Sequence, residues 1–375
     1  MSDQKGLLEQ LLSKWFISIR NPASAQEASL RCLLDEYAKT GYGAEKGALE
    51  ISTMPEFVKA FPVLNYEGYA PMVERSLYGD PSYICSAKPL AYAMTRGTTG
   101  RSKVVPCTPA HLDRVFECGA RELICQAYRT DDPSLLDGNV LNLNFPSVVT
   151  QVSTPSGITK YGYSSGTYAK LKPTLGVGGL VPSQDEIDTL GPGISREDWR
   201  RRFDLAYERT KELPVVAVMG VTPVILAFGR HVISHHGRPP HDIWKLKALF
   251  CTSVAKTHSV YGPQLQRLFG KAPVREIYSA TEGVFAQQLD SYPYVVPNYD
   301  AYVFEAKVRG KFVPLHTLER GKWGRLIVST PVFPRYDIGD FVECLGPNYF
   351  RIFGRASPSV MLEHRLYRAF ASWAS

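Results

Sequence analysis

Three short stretches of this 375-residue chain hold side chains whose types and spacing could do chemistry. The first is Thr95-Arg96-Gly97-Thr98-Thr99-Gly100-Arg101-Ser102-Lys103, followed by Val104-Val105-Pro106. Glycines let the backbone turn so that successive N–H groups point at one centre. Threonine hydroxyls add donors and a lysine adds a point charge, a set that suits a polyphosphate. It is not a Walker loop, which needs Gly-x4-Gly-Lys-Ser/Thr, and a plain hairpin has the same composition. The second stretch is Tyr278-Ser279-Ala280-Thr281-Glu282-Gly283, and the third is Arg335-Tyr336-Asp337-Ile338-Gly339-Asp340, closing with Gly354-Arg355. Each has a structural alternative. Thr281 could cap a helix N-terminus, Arg335 and Asp340 could form a surface ion pair of little worth, and Gly-Asp is a common turn.

In this order the stretches resemble the adenylate-forming superfamily, which includes acyl-CoA synthetases, peptide-synthetase adenylation domains and luciferases. That pattern is a Gly-Thr-Thr-Gly-x2-Lys loop, then Tyr-x-x-Thr-Glu, Tyr-x-x-Gly-Asp and Gly-Arg. A narrower resemblance lies upstream of the loop. A helix ends in Tyr42-Gly43, Phe61-Pro62-Val63-Leu64-Asn65-Tyr66-Glu67 follows, and a further helix stops at Gly79-Asp80. This order is similar to the auxin-responsive promoter family, the acyl acid–amido synthetases, whose plant members join jasmonate, indole-acetate or benzoates to amino acids. The resemblance runs from about Leu30 to Arg355, clear at 57–106 and 275–355 and faint at 130–270.

The resemblance implies an α/β adenylate-forming N-terminal lobe, with mixed sheets flanked by helices plus a small β-barrel. It implies that ATP and a small carboxylic acid give acyl-AMP and pyrophosphate, with an amino acid as the possible acceptor. Gly97, Thr98, Thr99, Gly100 and Lys103 would hold the β- and γ-phosphates. Thr281 would meet an α-phosphate oxygen, and Glu282 a Mg2+ ion, because a hard cation prefers carboxylate oxygen. Tyr278, with Ser279 and Ala280, would face adenine; Asp340 would accept from the ribose hydroxyls, and Arg355 would bond the ribose at a hinge. Met219, Thr222, Thr252 and Ser253 fall where the family lines its acid pocket, although core packing explains each equally well. Two departures stand out. Arg96 replaces the usual serine, and Thr252-Ser253-Val254 replaces small glycines. An acid–CoA ligase of the phenylacetate type, or a degenerate nucleotide-binding homologue, remains an alternative.

Other candidates are weaker. Ser164-Ser165-Gly166-Thr167 lacks a second glycine and reads as a turn, and Gly176-Val177-Gly178-Gly179 precedes no clear helix, which weakens a Rossmann reading. His231 and His235 have a metal-like spacing but no third ligand in sequence, so a surface or core histidine pair is the better reading. Cys107 has no evident histidine partner for nucleophilic chemistry.

The elements that must position these groups follow from periodicity. Helices are expected over 6–20, through Leu33, Leu34 and Tyr37, over 110–128, from a hydroxyl cap at Thr222-Pro223, and over 265–269. Strands are expected at 140–149, 158–163, 215–219, 248–253 and 274–278, and a small barrel or hairpin stack over 301–350. Composition is that of a globular protein, 44% hydrophobic and 21% charged, with no apolar run long enough for a membrane helix. Seven scattered cysteines favour reduced thiols and a cytoplasmic setting. Net charge is +7, but the densest basic cluster, Arg200-Arg201-Arg202, is flanked by acids and reads as a solvated helix face, not a nucleic-acid surface. Residues 1–353 are expected to form the adenylating lobe. Residues 354–375 read as hinge and helical stub, too short to form the superfamily's C-terminal lobe, and the oligomeric state is open.

Overall fold

The computed structural model describes residues 2–95, 102–155, 157–172 and 179–355. Among the described residues, sixteen strands make three sheets. The largest has the order β11 (Val296–Pro297), β10 (Gly283–Gln287), β9 (Val274–Ala280), β8 (Ala248–Thr252), β7 (Val215–Val221), β3 (Asn139–Asn142) and β6 (Leu180–Val181). From β6 to β9 all pairs are parallel; β10 and β11 run antiparallel at the edge. Successive residues of a strand point to opposite faces, so a sheet covered on both sides reads as a continuous apolar run. Thus Ala248 and Phe250 enter one core, with the long helix Pro109–Thr130, while Leu249 and Cys251 enter another, with helices Arg196–Thr210, Thr222–His236 and Gly262–Phe269.

A four-stranded sheet, in the order β2 (Val104–Cys107), β1 (Ala91–Met94), β5 (Gly157–Tyr163) and β4 (Thr150–Thr154), carries the ends of the glycine-threonine loop. Pro106 is tolerated because β2 is the edge strand. The third sheet runs β13 (Lys311–Pro314), β12 (Val303–Val308), β14 (Trp323–Ser329), β15 (Tyr336–Gly346) and β16 (Tyr349–Arg355), antiparallel throughout. Of the two forms expected for 301–350 it is the hairpin stack; among the described residues its outer strands do not pair to close a barrel.

The helix expectations hold at Ser2–Arg20, Pro22–Tyr37, Pro109–Thr130 and Gly262–Phe269. Helix Pro109–Thr130 starts where Thr108 accepts from the His111 N–H and ends at Asp131, which adopts the left-handed conformation. Three local readings are corrected. The strand expected over 140–149 stops at Asn142, because the Asn142 side chain accepts from the Asn144 N–H and turns the chain. Thr222 does not cap its helix. It is the first helical residue, and its hydroxyl donates to the Thr252 carbonyl at 2.9 Å. Ser164-Ser165-Gly166-Thr167 is the first turn of helix Ser164–Leu171, not an isolated turn. Gly166 is required there, since a Cβ would lie 2.1 Å from the Phe145 carbonyl oxygen.

No helix among the described residues is long and apolar enough to cross a membrane. All seven cysteines are unpaired; Cys32 is exposed and the other six are buried. Burial pushes the Cys107, Cys118, Cys125 and Cys251 thiols up to about 12, which leaves almost no thiolate at neutral pH. Alkylation of the folded protein with iodoacetamide should therefore modify Cys32 fast and the other six only after unfolding. Two or more fast thiols in the mass spectrum would contradict this packing.

Candidate active site

The carboxyl ends of β7, β8 and β9 open at one edge of the large sheet, next to the point where strand order reverses between β3 and β7. Open α/β sheets bind ligands in that crevice. The β9–β10 hairpin places Thr281 and Glu282 at its tip, with Ala280 opposite Gly283. Thr281 is therefore a turn residue and not a helix cap. Its hydroxyl donates to Ser164 Oγ at 3.1 Å, and its carbonyl accepts from Tyr168 at 2.6 Å.

Strand β15 enters from the other side. Tyr336 donates its hydroxyl to Glu282 Oε1 at 2.7 Å, and the Tyr336 hydroxyl oxygen in turn accepts from Lys103 Nζ at 3.1 Å. One phenol thus joins all three chemistry-bearing stretches. Glu282 is 3% exposed. The Lys103 ammonium also lies over the rings of Tyr66 and Tyr336, at 5.5 and 5.7 Å from their centroids. Tyr66 in turn clasps β2, accepting from the Val104 N–H at 2.6 Å. At the loop's base the Thr95 N–H donates to the Lys103 carbonyl at 2.8 Å, and the Lys103 N–H to the Thr95 hydroxyl at 3.1 Å. Gly97, Thr98, Thr99 and Gly100, and Arg96, lie outside the described residues.

A second cluster adjoins the first. Tyr278 donates to Asp340 Oδ2 at 2.7 Å, and Arg355 Nε lies 3.4 Å from Asp340 Oδ1. Arg355 also donates to the Ile338 carbonyl. Gly339 and Gly354 have φ of +87° and +111°, a region costly for any other residue, which accounts for the glycine in both Gly-Asp and Gly-Arg. Burial raises the Asp340 carboxyl above the usual aspartate range, against the opposing pull of Arg355 and the Tyr278 hydrogen bond. The field of Asp340, with further help from Tyr278 and Glu282, outweighs the burial that would lower Arg355, so its guanidinium is held more firmly charged.

The surface pairing of Arg335 with Asp340 does not occur. Arg335 is buried and forms a two-pronged pair with Glu305, at 2.8 and 2.9 Å, and donates to the Val58 and Phe61 carbonyls. Met219, Thr222, Thr252 and Ser253 lie at the ends of β7 and β8. Thr222 is fully buried; it and Thr252, whose hydroxyl lies 3.2 Å from the Gly220 carbonyl, lace the two strand ends together. Ser253 has φ +72° just past β8. Tyr278, Ser279 and Ala280 occupy the neighbouring end of β9.

Three site neighbours were not singled out from sequence: Tyr336, Tyr66 and Ser164. The first two lie inside stretches already noted, Arg335–Asp340 and Phe61–Glu67, and the signal missed was a phenol one or two positions from a charged residue. Ser164 opens the stretch Ser164-Ser165-Gly166-Thr167, read as a turn, and nothing in its spacing points to Thr281.

Residues 15–190 match the family model described as the GH3 family N-terminal domain. That match falls in the N-terminal part of the chain and covers just under half of it. No curated protein sequence matches it. The solved structure of AtGH3.15 acyl acid amido synthetase in complex with 2,4-DB is 16% identical, with TM-score 0.71 over 94% of this chain and 70% of that one. A 2-hydroxyisobutyryl-CoA ligase in the postadenylation state, in complex with 2-HIB-AMP, is 15% identical, with TM-score 0.61 over 88% of this chain and 67% of that one. At such identities the likeness is one of fold, that of the adenylate-forming N-terminal lobe, and this chain spans about 70% of the amido synthetase.

The Arg335–Glu305 pair locates the start of β15, and with it Tyr336. Replacing Arg335 by Met should leave Glu305 buried and unpaired at a cost of about 3–5 kcal/mol in urea unfolding, and removing both charges (Arg335→Met with Glu305→Leu) should recover most of it. A loss for the single variant below about 1 kcal/mol would mean that the pair is solvated.

Proposed function

We propose that this chain is an enzyme of the GH3 type that adenylates a small carboxylic acid: a carboxylate oxygen attacks the α-phosphorus of ATP, pyrophosphate leaves, and acyl-AMP forms. The observation that carries the proposal is the meeting of Lys103, Glu282 and the Asp340–Arg355 pair, from three distant stretches, around the Tyr336 and Tyr278 hydroxyls. Two anions must approach and negative charge spreads over the phosphoryl oxygens, so the protein's task is positioning and electrostatics. Lys103, with the glycine-threonine loop 97–100, neutralises phosphate charge. Thr281 and Ser164 offer adjoining hydroxyls to an α-phosphate oxygen. Asp340 accepts from the ribose hydroxyls, Arg355 holds Asp340 ionised, and Tyr278 presents its ring to adenine beside Ser279 and Ala280.

Glu282 fits a Mg2+ ion. It is a buried carboxylate whose Oε1 is oriented by Tyr336, and Mg2+ is commonly held by one or two carboxylates plus substrate phosphates. The ion would supply charge neutralisation on the triphosphate. Met219 and Ser253 are assigned to the acid pocket, with Thr222 and Thr252 holding its strand ends in register. The family places an amino-acid amine as the second acceptor. Residues 1–353 would be the ATP- and acid-binding lobe and 354–375 the hinge and stub, of which 356–375 lie outside the described residues. Unpaired thiols and an ATP substrate suit a reducing, cytoplasmic setting.

Labelled pyrophosphate should exchange into ATP only when a suitable organic acid is present, and no exchange by folded protein across a broad acid panel would defeat the proposal. Adding amino acids or CoA in turn then separates an amido synthetase from an acid–CoA ligase. Lys103→Ala should cut exchange about 10²–10³-fold, the usual effect of removing one preorganised electrostatic group. A loss under about tenfold would remove Lys103 from the phosphate site. The raised Asp340 carboxyl gives a pH signature. Ribose recognition needs the ionised form, which is present above its pKa and lost as pH falls through it. Exchange should therefore decline on the acid side at a pH above the ordinary aspartate range, and Asp340→Asn should be slow and flat over that limb. An unchanged acid limb in this variant would assign it to another group.

A further inference from the structure

Helices Arg196–Thr210 and Thr222–His236 pack side by side and bring three metal-type ligands together: Asp204, His231 and His236. Their ligand atoms all lie within 4.8 Å of one another. His231 Nε2 is 2.7 Å and His236 Nε2 3.6 Å from the same oxygen, Asp204 Oδ1. The set is not the His231–His235 pair that sequence spacing suggests. His235 stacks on His231, with centroids 4.0 Å apart, and turns its Nδ1 to Ser234 Oγ at 2.8 Å, while His236, the last residue of its helix, faces Asp204.

We propose that Asp204, His231 and His236 form a site for a divalent transition metal of the Zn2+ type, with a fourth position open to water. Three observations support it. A tetrahedral Zn2+ with nitrogen and oxygen ligands at 2.0–2.2 Å separates its ligand atoms by roughly 3.3 Å. Against that spacing the 3.6 Å contact is about 0.3 Å long, the 2.7 Å contact about 0.6 Å short, and the His231–His236 pair lies within 4.8 Å. His236 Nε2 is buried yet has no hydrogen-bond partner, which leaves a lone donor or acceptor aimed at the carboxylate. The ring plane of His236 is set by stacking on Tyr207, with centroids 3.6 Å apart and 10° between planes, so little freedom remains to be lost on binding. Asp204 is half exposed and gives the ion a way in. Two imidazoles and one carboxylate select Zn2+ over Mg2+ or Ca2+.

The site ties the C-terminal end of helix Thr222–His236 to its neighbour. It lies about 20 Å along that helix from Thr222, at 1.5 Å rise per residue, and is separate from Glu282 and the proposed adenylation chemistry. Its role is that of a clamp between two helices covering the outer face of the large sheet.

The test uses the full chain, tag-free and with Cys32→Ser, stripped by chelator and then titrated calorimetrically with Zn2+ alone. One equivalent should bind and raise Tm, and Co2+ should give the visible absorption of a tetrahedral site. Asp204→Asn and His236→Gln should each abolish the binding and the Tm rise, while His235→Gln retains both. Absence of saturable binding, or binding that survives both Asp204→Asn and His236→Gln, overturns the proposal. Should either variant fold poorly, Co2+ absorption by the parent protein and its retention in His235→Gln still decide the matter.

Discussion

The buried Arg335–Glu305 ion pair is the constraint on which the site depends. Arg335 has φ +47°, an unfavourable conformation for a residue with a Cβ, and is held there by its two-pronged pair and by two carbonyls of the N-terminal helical region. Next to it, the Leu64 carbonyl accepts from the Asp337 N–H at 2.8 Å, and Tyr69 donates to the Pro334 carbonyl. The third sheet is thereby docked on the helices that precede the glycine-threonine loop. Only in that docked state does Tyr336 project between Lys103 and Glu282. A buried pair of this kind adds little net stability against apolar residues of the same shape, but breaking it is costly, and it specifies one docking geometry.

Charge balance is the second organising fact. Two carboxylates, Glu282 and Asp340, are buried within one crevice, and their cost is offset by Lys103 on one side and Arg355 on the other. The two phenols separate and orient these charges. Tyr336 orders the Lys103–Glu282 half, and Tyr278 the Asp340–Arg355 half. Under the proposed function, such preorganisation would let a polyanion bind without first rearranging the protein's dipoles. The helix pair on the opposite side of the large sheet has its own polar seam in Asp204, His231 and His236, independent of this balance.

Much of this was legible in one dimension. Period-3.6 and period-2 patterns located the helices at 2–20 and 109–130 and the strands of the large sheet, because amphipathic burial writes itself into spacing. Motif order marked Lys103, Glu282, Asp340 and Arg355, which the structure brings to one crevice, and Gly339 and Gly354 have the positive φ that restricts those positions to glycine. What failed was local and had local causes. Thr222 looked like a cap because hydroxyl-then-proline is a helix-start signal, but its hydroxyl had a better acceptor on the next strand, Thr252. Arg200-Arg201-Arg202 was read as one solvated face. Arg200 and Arg201 pair with Glu197 and Asp198 at the surface, yet Arg202 points inward and donates to the Gly191 carbonyl.

The amino-acid order by itself determined the α/β class and the positions of the helices and strands that carry the three chemistry-bearing stretches. Tertiary structure alone decided partners: that Arg335 meets Glu305 and not Asp340, that Tyr336 bridges Lys103 to Glu282, and that His231, besides stacking on His235, meets Asp204 of the neighbouring helix. The physical reason is range. Helix and strand periodicity and turn preference act over a few residues and leave a trace in spacing. A hydrogen bond between side chains more than two hundred positions apart, as between Lys103 and Tyr336, depends on how sheets dock and leaves none.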